Sequence, residues 1–198
     1  MNTLSYKRAG VGAIVLALLF PIYWLFAVTN FSLDAVREDF VTLSGWDLLF
    51  VIIGVLEIVV YLALARLCRD QLGGTVSAIF LFVMAGMIGL LHATTLVDVL
   101  HGIGVSGAVS ETLIGIGIAV SLASLFLYTV TALALAISFL VRFTELPTLM
   151  RCFSIGLLIA CLLQLTVVLG VINIFLFPLL LLLLGVHFLR GEHAVEVV

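Results

Sequence analysis

An all-α bundle of six transmembrane helices, N-in and C-in, is the fold class this sequence predicts. Composition, the length of the apolar runs and the placement of basic residues carry that expectation. Of 198 residues, 65% are hydrophobic and 10% charged, with a mean hydropathy of +1.43. A soluble domain is roughly half apolar and about a quarter charged. A soluble chain this apolar would expose patches that drive aggregation. The net charge is only −3 and the eight Lys and Arg form no dense cluster. No nucleic-acid footprint is present, and the bilayer is the expected partner.

A spanning helix needs about 20 apolar residues. Runs of that kind cover 9–28, 47–67, 75–95 and 112–141. The last apolar run, 152–189, is too long for one span. Gly170 and Asn173, followed by Pro178, divide it into 152–171 and 173–189, joined by a tight hairpin. The chain, 1–198, reads as a single transmembrane domain without internal repeats.

Basic residues collect in cytosolic loops. With six spans and the N-terminus inside, Lys7, Arg8, Arg66, Arg69, Arg142, Arg151 and Arg190 share one side, and Arg37 alone faces the other. Five spans would move Arg190 across and weaken the bias. Tyr23, Trp24 and Trp46 then fall toward the outer interface, where such rings collect. The expected location is a plasma or inner membrane, crossed several times. Lys7 and Arg8 resemble the start of a signal peptide, but the apolar stretch behind them is longer than a usual signal core. It is read as a retained span.

Between spans, Leu33, Val36 and Phe40 recur at helical spacing among Asp34, Arg37, Glu38 and Asp39, which predicts an interfacial amphipathic helix. Gly102, Gly104 and Gly107 mark 96–111 as a loop. Pro147 should break helix between spans four and five, and Pro21 should bend the first. Cys68 and Cys152 fall at the cytosolic boundary and Cys161 within span five. They read as small packing residues rather than disulfides.

One acid, Glu57, interrupts the second span. An acid at mid-bilayer costs about 2.5–3.5 kcal/mol on the insertion scale, while each large apolar residue returns about 0.3–0.6. The span therefore inserts despite Glu57, but the carboxyl must face protein or water. Gly54, Glu57, Tyr61, Ala65 and Cys68 fall on one stripe at about 100° per residue. Small and polar stripes are what helices show one another in membranes. Counting the helical rise places Glu57 ~15 Å from the outer boundary and Gln164 ~18 Å from the inner one, so both are expected near the midplane. Ser121 and Ser124 of span four reach similar depth.

Span four carries a seam: Gly117, Ser121, Ser124, Tyr128 and Thr131 are spaced four, three, four and three. That 3.5-residue period keeps one face on a partner helix. The next step lands on Leu135 and interrupts it. Span five adds Gly156 and Ala160. These seams fit close helix packing, contact with a second copy or partner protein through spans four and five, or a polar path with Glu57, Tyr61, Ser121, Ser124, Tyr128 and Gln164 at its core.

His92, Asp98 and His101 cluster near the outer surface. Two imidazoles and a carboxylate are a conceivable zinc set, but the spacing matches no metal signature. His187 and His193 sit at the other end of the bundle, so a haem bridging facing histidines is not expected, nor is any other cofactor. No nucleophile elbow, zinc-protease helix or phosphate loop is present, which weighs against an enzyme.

Three functions remain: transport or permeation of a small solute, ion or proton past Glu57; a non-catalytic membrane subunit or scaffold; and an embedded enzyme or metal site using His92, Asp98 and His101.

Overall fold

The computed structural model describes residues 3–30, 42–166 and 168–190. The amphipathic segment expected around Leu33–Phe40, and His193, lie outside the described residues. Seven α-helices are described: α1 (Thr3–Thr29), α2 (Gly45–Asp70), α3 (Thr75–Ala93), the short α4 (Thr95–Gly102), α5 (Ala108–Val141), α6 (Thr148–Leu165) and α7 (Asn173–Arg190). Six stretches built on them are long and apolar enough to cross a membrane. Their outward faces are apolar throughout, with Leu18, Val55, Ile79, Phe126, Ile159 and Phe175 exposed on six different helices. Such a surface suits a multi-pass helical membrane bundle.

Local chemistry sets the boundaries. Ser44 caps α2: its hydroxyl accepts from the Trp46 N–H at 3.2 Å, and its own N–H donates to the Asp47 carboxylate at 2.5 Å. Helix α1 runs through Pro21 without interruption. A left-handed Gly73 (φ +59°) turns the chain between α2 and α3. The expected loop at 96–111 is partly helical, because α4 continues the path of α3 for eight residues. Left-handed Gly104 and Gly107 then turn the chain into α5.

The spans form a closed ring in chain order. Each of α1, α2, α3, α5, α6 and α7 packs on the next, and α7 returns to α1. Closure depends on Gly10 and Gly185. A Cβ on Gly10 would lie 3.0 Å from the Gly185 carbonyl oxygen, and one on Gly185 would lie 3.1 Å from that of Gly10. Two side-chain-free positions let the helix backbones touch. Tyr6 and Phe188 stack nearby, ring centroids 6.0 Å apart.

The helices alternate in direction, so all seven basic residues among those described lie at one end of the ring. The interior of that basic half is filled. Leu64, Leu67, Leu81, Leu135, Met150, Leu181, Leu184 and Phe188 are each at most 1% exposed. A Ser77–Ser138 hydroxyl pair at 2.9 Å joins α3 to α5 within it.

Candidate functional site

The opposite half of the ring holds a half-open cavity of about 280 Å³ to which all six spanning helices contribute. Its floor is polar. Glu57 is the thirteenth of 26 residues in α2, so the acid sits at mid-helix, as expected. It is 3% exposed and lines the cavity. The predicted stripe is the buried face of α2: Gly54, Tyr61, Ala65 and Cys68 are all buried, while Ile52, Val55 and Val59 are exposed on the other side. Tyr61, one turn along from Glu57, places its hydroxyl 2.5 Å from that of Tyr128 on α5. Both hydroxyls lie within electrostatic reach of Glu57. No hydrogen bond to the Glu57 carboxyl is made among the described residues.

One wall is aromatic. Phe177 packs on Phe20 at 4.8 Å, Phe20 on Trp24 at 6.0 Å, Trp24 on Tyr23 at 5.6 Å and Tyr23 on Phe50 at 5.1 Å. Phe50 then stacks on the His92 ring at 4.0 Å. His92 fits because α2 carries Gly54 opposite it; any side chain there would overlap the imidazole. The His92 Nδ1–H donates to the Ile88 carbonyl at 2.9 Å. In the neutral ring that leaves Nε2 a bare acceptor, and it is buried without a partner.

The remaining wall is amide and hydroxyl. Asn173 Nδ2 donates to the Ala160 carbonyl at 2.9 Å and to Gln164 Oε1 at 3.0 Å, while Asn173 Oδ1 is buried and unpartnered. Gln164 lies nearer the end of its helix than its expected midplane depth. Helix α6 starts at Thr148, directly after Pro147, and stops at Leu165, where the Thr166 hydroxyl takes the Leu163 carbonyl at 2.7 Å. Gln164 is thus in the last turn, and it lines the far end of the cavity whose floor holds Glu57.

The predicted polar core is therefore brought together in part. Glu57, Tyr128 and Gln164 line the cavity, with Tyr61 bonded beneath them. Ser124 is buried and Ser121 half-buried in α5, but neither lines it; the α5 contribution starts at the next residue, Leu125, and continues with Tyr128 and Thr129. Thr131 leaves the seam, its hydroxyl turned to the Leu127 carbonyl at 2.7 Å, and Ala132 takes the lining position. Gly156 and Ala160 face α7 as the small pair suggested: Leu180 occupies the space over Gly156. Cys161, read only as packing, also lines the cavity, and all three cysteines are free thiols.

His92, Asp98 and His101 are not assembled into a ligand set. His92 belongs to the aromatic wall, Asp98 is buried on α4, and His101 Nδ1 lies 3.0 Å from the Ser110 hydroxyl. Among the described residues no three His, Cys, Asp or Glu side chains converge as a metal site.

Fold and site together outline a class, an all-helical bundle of six membrane-length spans around a mainly apolar cavity with an aromatic wall and a few polar groups. No family model, curated protein or solved structure matches the chain.

Proposed function

We propose that this protein sits in a cell membrane with both termini in the cytosol and carries a small solute, ion or proton past Glu57. The observation that carries the reading is the cavity itself: about 280 Å³, touched by all six spans, with an unbonded buried acid at mid-helix. Polar groups inside a membrane bundle are costly and mark solute or proton pathways. Transport sites lie at mid-depth between helices. In this reading the basic end faces the cytosol, following the positive-inside rule. The filled layer around Leu64, Leu81, Leu135 and Leu181 is then the closed gate on that side.

Reconstituted liposomes test it. Flux of protons, ethylammonium and glycerol is followed by a pH dye, radiolabel and light scattering respectively. The native protein is expected to carry at least one of the three above empty-liposome background. Glu57→Gln is expected to abolish that flux while eluting as the native protein does. Background rates for all three, or native flux in Glu57→Gln, would overturn the proposal.

A further inference from the structure

We infer that the cavity takes a small organic cation, a protonated amine carrying an apolar body. The inference rests on the cavity being the solute site, as proposed above, and names the chemical class of the solute.

Charge is the first ground. Glu57 is the acid at the floor, 3% exposed and without a hydrogen bond among the described residues. No Lys or Arg lines the cavity among those residues. A buried acid with no cation beside it gives up its charge by keeping its proton, and it becomes a carboxylate only when a cation takes the proton's place. The protein supplies no cation there, so a cationic solute completes the pair.

Hydrogen-bond polarity is the second ground. Two lining residues carry acceptors that lack a partner, Asn173 Oδ1 and the Nε2 of neutral His92, both covered within the wall. An ammonium group offers up to three donors and no acceptor. A carboxylate or phosphate would meet the Glu57 acid and no donor cation.

Shape is the third. The wall of Phe20, Trp24, Phe50 and Phe177 suits both an apolar body and the face contact that cations make with aromatic rings. A volume of about 280 Å³ falls just below the range of sites for drug-sized ligands, about 300–1,000 Å³, so the solute is small. A neutral hydrocarbon would suit the wall but leave the acid unpaired.

Binding in nanodiscs tests the class independently of flux. The chain has two tryptophans, and Trp46→Phe leaves Trp24 as a reporter on the cavity wall. In that background phenethylammonium at pH 7 should change Trp24 emission saturably. The isosteric 2-phenylethanol and the anion 3-phenylpropionate should bind at least tenfold more weakly. Glu57→Gln should weaken the amine at least tenfold, and Phe177→Leu by several-fold if Glu57→Gln does not fold. Equal binding of alcohol or anion, or no saturable change with the amine, would overturn the inference. Amine binding without flux would overturn transport alone. Flux of a solute that does not compete with the amine would overturn the cation class alone.

Discussion

Gly54 on α2 and His92 on α3 share one site: the imidazole occupies the space that any side chain at position 54 would need. The ring is fixed there by the Ile88 carbonyl and by stacking on Phe50. The imidazole and the Glu57 side chain, one turn further along α2 from Gly54, thereby line a single cavity.

Gly54→Ala should displace the ring. Overpacking a filled interior costs about 1–3 kcal/mol, so a lower melting temperature is expected in detergent. Coupling to His92→Ala should be strong, because the smaller side chain vacates the contested volume. The double variant should therefore regain much of the stability that Gly54→Ala loses. Additive losses in that cycle would show that the two positions do not compete.

The Tyr61–Tyr128 hydroxyl pair joins α2 to α5 beneath the cavity. Side-chain hydrogen bonds in membrane bundles contribute about 0.6 kcal/mol on average and up to about 1.7. Either Tyr→Phe change should lower unfolding stability within that range. The double Phe variant should cost less than the sum, since no hydroxyl is then left stranded. Equilibrium unfolding in mixed micelles reads both numbers.

Asn173 holds the hairpin between α6 and α7 by donating to Ala160 and Gln164. Asn173→Leu keeps the branching at Cγ and the heavy-atom count and removes both bonds. It should destabilise the protein by about 1–2 kcal/mol and raise amide exchange in the turn between α6 and α7. Unchanged exchange at 166–172 would refute the clamp.

Ring closure at Gly10 and Gly185 can be tested by cross-linking. In a chain with its native cysteines replaced by alanine, Tyr6→Cys and Phe188→Cys should be bridged by a short bifunctional thiol reagent, because those rings stack across the α1–α7 contact. Adding Gly185→Leu should separate α1 from α7 and reduce the yield several-fold. An undiminished yield would mean that the backbones do not meet there.

Much of this arrangement was readable along the chain because the bilayer simplifies the code. Apolar runs set the spans, and Glu57 stood out because its stripe of Gly54, Tyr61, Ala65 and Cys68 differs in kind from the Val and Ile around it. Gln164 lies in the last turn of α6 because that helix starts at Thr148, after Pro147, and stops at Leu165, neither of which the apolar run marks. Ser121 and Ser124 share a period with Tyr128, but periodicity does not say where along a seam the lining begins. Gly10 with Gly185, and Gly54 with His92, are contacts between distant parts of the chain. Glycines in otherwise bulky spans were their one trace, and nothing local names the partner. The aromatic wall was equally hidden, since Phe20, Phe50 and Phe177 look like ordinary span residues until the ring closes.

The most direct test is an experimental density map of the protein in a lipid nanodisc at side-chain resolution. The expected result is the Glu57 carboxyl at mid-depth, facing a half-open cavity that holds ordered water or solute, with Trp24, His92 and Asn173 around it. A carboxyl against acyl chains, or sealed in dry packed protein, would contradict the account.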